Sequence, residues 1–390
     1  MARRQKRRPI QARELQGFKY FGLVAELFDS LHAAGTLRDA AGNRELFFDQ
    51  YAQLMLLDYF NPIVDSLRGL QQITGLDKVQ KLCGVSKTSL GSLSEAARVF
   101  DPALLEPIIA QLAEQTLAGS RSAPPAHQAA LADLVAVDGS LLKALPQMAW
   151  ALWQDAAHRA AKLHVAFAVF PAVPVEVAVT AGNSSERAAW RRMVEPGGFY
   201  VADRGYADYS LFRELDALEC RFVVRVQEHA VYDVLEERPL TPQDTAAGVV
   251  RDVLIRRLGT EKHNALLDRP LRIVIVRGSQ PDHQWVLATN ARDLPAELIA
   301  AADHDRWQIE LFFRWLKCVL GCRHLVSQSE SGVTLQVDFG IIASLLIGLW
   351  IGVKPNKRTY EMLCLDLCGW ATVEEVDRHL LKLRNETRPP

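Results

Sequence analysis

The chain has 390 residues, and its 45 Lys and Arg against 46 Asp and Glu give a formal charge of −1. Hydrophobic residues make up 49% and charged residues 23%, which excludes a disordered chain, a collagen-like chain and a disulfide-dense miniprotein. The near-zero sum argues against a nucleic-acid binder only if charge is spread evenly, because binding depends on where charge sits.

Five cations crowd the N-terminus: Arg3, Arg4, Lys6, Arg7 and Arg8. No apolar run of signal-peptide length follows them. Such an arm gains affinity for a polyanion by counterion release. Residues 1–118 predict an all-helical domain. Val24, Leu27, Phe28 and Leu31 recur at helical spacing, as do apolar residues from Tyr51 to Tyr59. Within it, Val79 to Leu90 reads as a helix-turn-helix. One helix ends near Gly84, Ser86 caps the next, and Lys87, Thr88, Ser89 and Ser92 face outward at its start, where a recognition helix meets a major groove. Two ordinary packed helices joined by a capped turn would give the same pattern. The Gly-Ser-Arg-Ser-Ala-Pro-Pro stretch at 119–125 predicts a linker.

Short strands follow. Leu134 to Val137 ends at Asp138-Gly139, Leu163 to Phe170 and Val173 to Thr180 flank a Pro-containing turn, and a helix covers Ser184 to Val194. Phe199 to Ala202 ends at Asp203, and Phe222 to Val226 is a fifth strand. This pattern makes residues 119–226 an α/β unit. Residues 227–292 predict a β-rich insertion, with strands at 249–258, 271–277 and 284–289. Helices are expected at 294–320 and 333–353, within a second core segment of 293–355, and a helical tail at 356–390. The apolar run 341–353 is shorter than the roughly 18–20 residues of a membrane span, so it reads as a buried core helix. A soluble, cytosolic protein with reduced thiols and no membrane partner is expected. Cys318-x3-Cys322-x-His324 and Cys364-x3-Cys368 resemble zinc-ligand spacings, but i,i+4 pairs in helical patterns predict buried helix faces instead.

The chemistry-bearing residues are acidic. Asp138 and Asp203 each follow a short apolar strand and precede Gly within two residues. A carboxylate at that position stands at the rim of a sheet, where α/β folds place their chemistry. Two such groups on neighbouring strands suit divalent cations, although each Asp alone could simply cap its turn. A third element is the predicted helix from Asp303 to Lys317. Arg306, Glu310, Arg314 and Lys317 are spaced by four, four and three, forming one polar face. A surface helix with an ordinary Arg306–Glu310 ion pair would fit the same spacing. A carboxylate flanked by three cations also suits a metal ion among phosphates.

Asp138, Asp203 and Glu310, with Arg306-x3-Glu310-x6-Lys317, resemble the DDE transposases of the insertion-sequence-4 group. Their mark is a Tyr-x2-Arg-x3-Glu-x6-Lys signature, in which the Tyr position is Asp303 here. The acids are separated by 65 and 107 residues, and the longer gap accommodates the β-rich insertion. The resemblance covers roughly residues 130–353. It implies a ribonuclease-H-like mixed sheet interrupted by that insertion and preceded by the all-helical domain. It also implies that Asp138, Asp203 and Glu310 bind two Mg²⁺ ions, with Mn²⁺ as a substitute, for in-line phosphoryl transfer. Arg306, Arg314 and Lys317 would hold phosphates. Arg225 would contact end DNA, and Trp285 would stack on a flipped base during hairpin formation, unless it simply packs in the insertion. The implied protein binds the terminal inverted repeats of its element and target DNA as a homodimer in a paired-end complex. It acts in the bacterial cytoplasm, at the nucleoid, by cut and paste. The rivals are an inactive or repurposed DNA binder and a metal-dependent nuclease or phosphatase on the same core.

Overall fold

A computed structural model describes residues 21–34, 42, 44–61, 64, 66–119, 126–144, 146–155, 158–259, 269–278, 283–322, 324–351, 356–367 and 370–386. The basic arm (Arg3, Arg4, Lys6, Arg7, Arg8) and linker residues 120–125 lie outside these. The helices are α1 (Phe21–Ala34), α2 (Phe48–Phe60), α3 (Leu67–Ile73), α4 (Asp77–Cys83), α5 (Leu90–Val99), α6 (Glu106–Gly119), α7 (Glu186–Arg192), α8 (Tyr209–Ala217), α9 (Pro242–Ala246), α10 (Ala296–Asp305), α11 (Gln308–Arg314), α12 (Glu330–Ile351), α13 (Lys357–Leu367) and α14 (Val373–Glu386). The strands are β1 (Leu134–Lys143), β2 (Ala160–Ala168), β3 (Val173–Ala181), β4 (Phe199–Ala202), β5 (Arg221–Val226), β6 (Tyr232–Glu237), β7 (Val249–Leu258), β8 (Leu271–Arg277) and β9 (Gln284–Thr289). They form two compact units: Met1–Gly119 with Lys143–Ala160 and Arg314–Pro390, and Ser120–Leu142 with Ala161–Phe313.

The first unit is helical and is organised on α12. This helix is predominantly apolar, with Gln336, Asp338 and Ser344 as buried polar residues, and such a helix belongs in a core. By length and hydropathy its Glu330–Leu349 stretch could cross a membrane, but 83% of that window is buried inside the chain. Phe339 on α12 meets Phe28 edge-on at 6.4 Å and Tyr51 at 6.1 Å, while Phe48 stacks on Phe100 at 4.5 Å. The expected helix-turn-helix differs in its second start. Gly84 ends α4 with φ +60, a left-handed conformation that favours glycine. The next cap is Ser89, not Ser86: its hydroxyl accepts from Ser92 N at 3.0 Å, so α5 begins at Leu90. Lys87 is exposed, on the connecting segment and not on a helix.

The second unit is built on one nine-stranded sheet in the order β3-β2-β1-β4-β5-β9-β8-β7-β6. β1, β4 and β5 run parallel, β2 pairs antiparallel with β3, and the order β3-β2-β1-β4-β5 is the ribonuclease-H-like core expected from the sequence. β9 pairs antiparallel with β5, so the insertion strands extend the core sheet directly. Two expectations are corrected. β1 does not end at Asp138 but runs on to Lys143, although its pairing with β4 stops at Val137. The helix expected at 294–320 is broken: α10 ends at Asp305, α11 starts at Gln308, and Trp315–Val319 is a π-helical turn.

Strand alternation sets what faces what. Val137, Tyr200, Ala202, Phe222, Val224, Val226, Val286 and Ala288 join one apolar cluster with Trp190, Phe212 and Leu215 from α7 and α8. Phe212 stacks on Phe222 at 4.7 Å. The alternate residues Asp138, Arg225 and Trp285 therefore lie on the other face, which α10 covers. Burying each large apolar side chain of that cluster contributes about 1.5–3 kcal/mol. One buried ion pair ties the extension together. Arg272 donates to Asp252 through Nε at 2.7 Å and Nη2 at 2.6 Å, and through Nη1 to the Leu294 carbonyl.

Candidate active site

Four expected residues converge in the sheet unit. In the β1–β4 register, Val137 pairs with Ala202, so Asp138 and Asp203 follow side by side at the same end of two parallel strands. Each carboxylate is held by its own turn. Asp138 Oδ1 accepts from Gly139 N at 2.7 Å, and Asp203 Oδ1 accepts from Gly205 N at 2.8 Å. The third acid arrives from the broken helix. Around the break, Ile309 N bonds to Arg306 O at 3.1 Å and Glu310 N to Trp307 O at 3.0 Å, an i to i−3 pattern tighter than an α-helix. Arg306 is thereby buried (8% exposed), and Trp307 is 42% exposed. The i,i+4 contact with Glu310 that the spacing allows is present, but Arg306 itself is turned inward.

Arg306 links the acids. Its Nη2 donates to Glu310 Oε1 at 3.1 Å, and its Nη1 lies 3.8 Å from Asp138 Oδ2. Burial, with the neighbouring Asp203 and Glu310 charges, pushes the Asp138 carboxyl up to about 7, against the opposing pull of the Gly139 N–H and Arg306. Three carboxylates and one guanidinium meet there. Among the described residues, no three His, Cys, Asp or Glu side chains already stand in a metal-holding arrangement. Glu310 is turned toward Arg306, but its side chain is 56% exposed, which leaves it room to turn.

The remaining expected residues stand elsewhere. Arg314 is exposed, and Lys317 is half-buried on the π-helical turn. There Leu320 N bonds to Trp315 O, so the four-four-three spacing does not define one face beyond Arg314. Both residues belong to the helical unit, as does Lys87. Arg225 and Trp285 meet each other: the guanidinium carbon lies 3.9 Å from the indole centroid. Of the cysteines, Cys322 is buried beside the Tyr59 hydroxyl at 3.3 Å, whereas Cys318 is exposed, unlike the buried face expected of it.

Sequence reasoning missed Glu186 and Tyr206. A Cβ on Gly139 would stand 3.2 Å from Glu186 Oε1. One on Gly205 would stand 3.2 Å from Glu186 Oε2 and 3.1 Å from Asp203 Oδ1. The glycine after each Asp therefore leaves room for a fourth carboxylate. Lys162 Nζ lies 3.2 Å from Glu186 Oε1 and donates to Ser184 O at 3.1 Å. The Tyr206 hydroxyl is buried and has no hydrogen-bond partner among the described residues. Burial, then the charges of Asp138, Glu186 and Asp203, raise its pKa far above the ordinary tyrosine range. The signal available was the recurrence of glycine after both acids, which reads as turn chemistry until Glu186 is seen between them.

Residues 130–346 match the family model described as "Transposase DDE domain". A Sinorhizobium fredii protein named as a transposase, y4zB, is 31% identical over 206 residues, 53% of this chain and 57% of that protein. A Geobacillus stearothermophilus protein named as the transposase for insertion sequence element IS5377 is 26% identical over 198 residues, 51% of each. The match thus spans about half the length of these curated relatives. Among solved structures, the piggyBac transposase synaptic complex with hairpin DNA aligns over 99% of this chain and 88% of that one, at 11% identity and a TM-score of 0.46.

Proposed function

The chain belongs to the DDE transposase family, and from that premise we propose that it cuts DNA at the ends of an insertion sequence and joins those ends to target DNA. The observation that carries this reading is the convergence of Asp138 and Asp203, on adjacent parallel strands, with Glu310 across the buried Arg306. The donor set is all carboxylate oxygen, which suits Mg²⁺ or Mn²⁺. Asp138, Asp203 and Glu310 share one guanidinium, Arg306, so added positive charge is favourable there. Asp138, Asp203 and Glu310 would hold the cation. Two such ions held there would supply activation of the attacking water or 3′-OH and charge stabilisation of the leaving oxygen in an in-line transfer.

The other residues bind and orient. Arg306 keeps Asp138 and Glu310 within reach of one another, and its guanidinium would turn to phosphate once a cation takes up those carboxylates. Lys317 and Arg314 add charges for the DNA backbone. Lys87 and the arm at Arg3, Arg4, Lys6, Arg7 and Arg8 would take up inverted-repeat DNA with the N-terminal helices. The paired-end dimer, the cut-and-paste route with hairpin ends, the base-stacking role of Trp285 and action at the nucleoid of the bacterial cytoplasm belong to the same reading. Trp370, 85% exposed beside Leu365 at 43%, offers the C-terminal helices an apolar surface for the dimer.

The test is incubation with DNA carrying the inverted repeats that flank the coding region, with Mg²⁺, beside Asp138→Ala. Wild type is expected to bind and cleave, and Asp138→Ala to bind without cleaving. Binding without cleavage by wild type would leave only the DNA-binder reading.

A further inference from the structure

Arg225 came from the sequence as a DNA contact, and Asp303 as the residue standing where the family signature has Tyr. The structure joins the two. Arg225 Nε donates to Asp303 Oδ1 and Arg225 Nη2 to Asp303 Oδ2, both at 2.7 Å. This is the bidentate fork that guanidinium makes with a carboxylate or a phosphate. The side chains are 20% and 7% exposed, so water does little to screen the pair.

The pair also fixes an aromatic ring. Arg225 lies opposite Leu287 in the β5–β9 register, which makes Trp285, two residues earlier on β9, its diagonal neighbour on the same face. The Arg225 guanidinium carbon stands 3.9 Å from the Trp285 centroid, within cation–π range. The His283 ring meets the same indole edge-on at 4.2 Å, and His283 Nε2 is 2.7 Å from Glu228 Oε1. Asp303 sits in the last turn of α10, three residues before Arg306 and seven before Glu310. The carboxylate thus ties the approach to the broken helix onto β5 and β9.

We propose that Asp303 is a positioning residue that claims Arg225 for the protein and withholds it from DNA. Arg225, Asp303 and Trp285 then act as one charge-neutral strut that seats the helix break bearing Arg306 and Glu310. The charge arithmetic supports this. A lone Asp303 beside a DNA backbone would repel it, and a lone Arg225 would attract it. Paired through both oxygens, they do neither. The inference rests on the proposed reading of the chain as DNA-binding, and the experiment separates the two.

The measurement is the salt dependence of binding to a DNA duplex carrying the inverted repeat. It compares wild type, Arg225→Gln, Asp303→Asn and the double variant. Each phosphate contact contributes about 0.9 to the slope of log K against log salt. Arg225→Gln removes no phosphate contact but leaves Asp303 unpaired, so weaker binding than wild type is expected, restored in the double variant. Asp303→Asn is expected to steepen it by about 0.9, because Arg225 is released. The double variant leaves neither charge unpaired, which protects folding if a single change does not, and it is expected to return to the wild-type slope. A slope that falls by about 0.9 in the double variant, or one unchanged in Asp303→Asn, overturns the proposal while DNA binding stands. Wild type that binds no duplex overturns the proposed function, and this inference with it.

Discussion

Gly205 shows how much a single absent atom governs. Its missing Cβ leaves Glu186 Oε2 and Asp203 Oδ1 within 3.1–3.2 Å of one point. Gly205→Ala must push one carboxylate away by a few tenths of an ångström. Cleavage is expected to fall about 10–100-fold, the scale typical of disturbed support around a metal site, with DNA affinity retained. Cleavage rates and DNA binding measured on the same preparation check this. His164 gives a pH prediction. Burial, then the charges of Lys162 and Arg192, push its pKa down to about 4 from 6.5, while its Nε2 lies 2.9 Å from Thr180 Oγ1. The native imidazole stays neutral where the unfolded one is protonated. Between pH 6.5 and about 4 the unfolded chain therefore binds more protons, and the group's contribution to stability falls as pH falls. Denaturant midpoints at pH 7 and pH 5 are expected to differ less in His164→Gln than in wild type. The acids were legible in the sequence because strand, Asp and Gly recur in order. Glu186 was not, because it comes from α7 and reaches the two acids only through the space left by glycines in two distant turns.

At the scale of elements, strands were easier to read than helix interruptions. The β-branched runs at β4, β5, β7, β8 and β9 fall where alternation puts them, because a strand's period is local. The helix break at Arg306 was illegible, because the sequence from Ala296 to Val319 contains neither Gly nor Pro. The tight i to i−3 turn instead coincides with Arg306 turned inward to two carboxylates, a tertiary demand. The start of α5 was misread for a related reason: Ser86 and Ser89 are equally good caps in sequence, and only Ser89 meets the backbone of Ser92. The insertion depends on a different tertiary contact. Arg272 and Asp252 are 1% and 4% exposed and hold β8 to β7. Asp252→Ala is expected to destabilise the fold by about 3–5 kcal/mol, since it strands a buried guanidinium. Arg272→Met combined with Asp252→Leu is expected to cost less than the sum of the single changes. Chemical denaturation of Asp252→Ala, of Arg272→Met and Asp252→Leu singly, and of the double variant decides it.

For the whole molecule, the balance of 45 cations against 46 anions hides a segregated pattern. Asp138, Asp203, Glu186 and Glu310 gather around one sheet end, served by the buried Arg306 and by Lys162. Arg225, which the sequence placed among the DNA cations, is neutralised within the protein. The fold class could be read from the order of elements, because a parallel β1-β4-β5 core requires helical crossovers that leave their own periodicity. The pairing of Arg225 with Asp303 could not, because 78 residues separate them and neither belongs to a local motif with the other. On the proposed reading, Asp138, Asp203 and Glu310 belong to one cation-holding pocket. The most direct test of that reading is a Mn²⁺ titration followed by electron paramagnetic resonance, on the protein and on Asp138→Asn, Asp203→Asn and Glu310→Gln. Tight binding in wild type, weakened in each of the three variants whose folds remain intact, is the result expected. Wild-type Mn²⁺ binding in all three variants would contradict it.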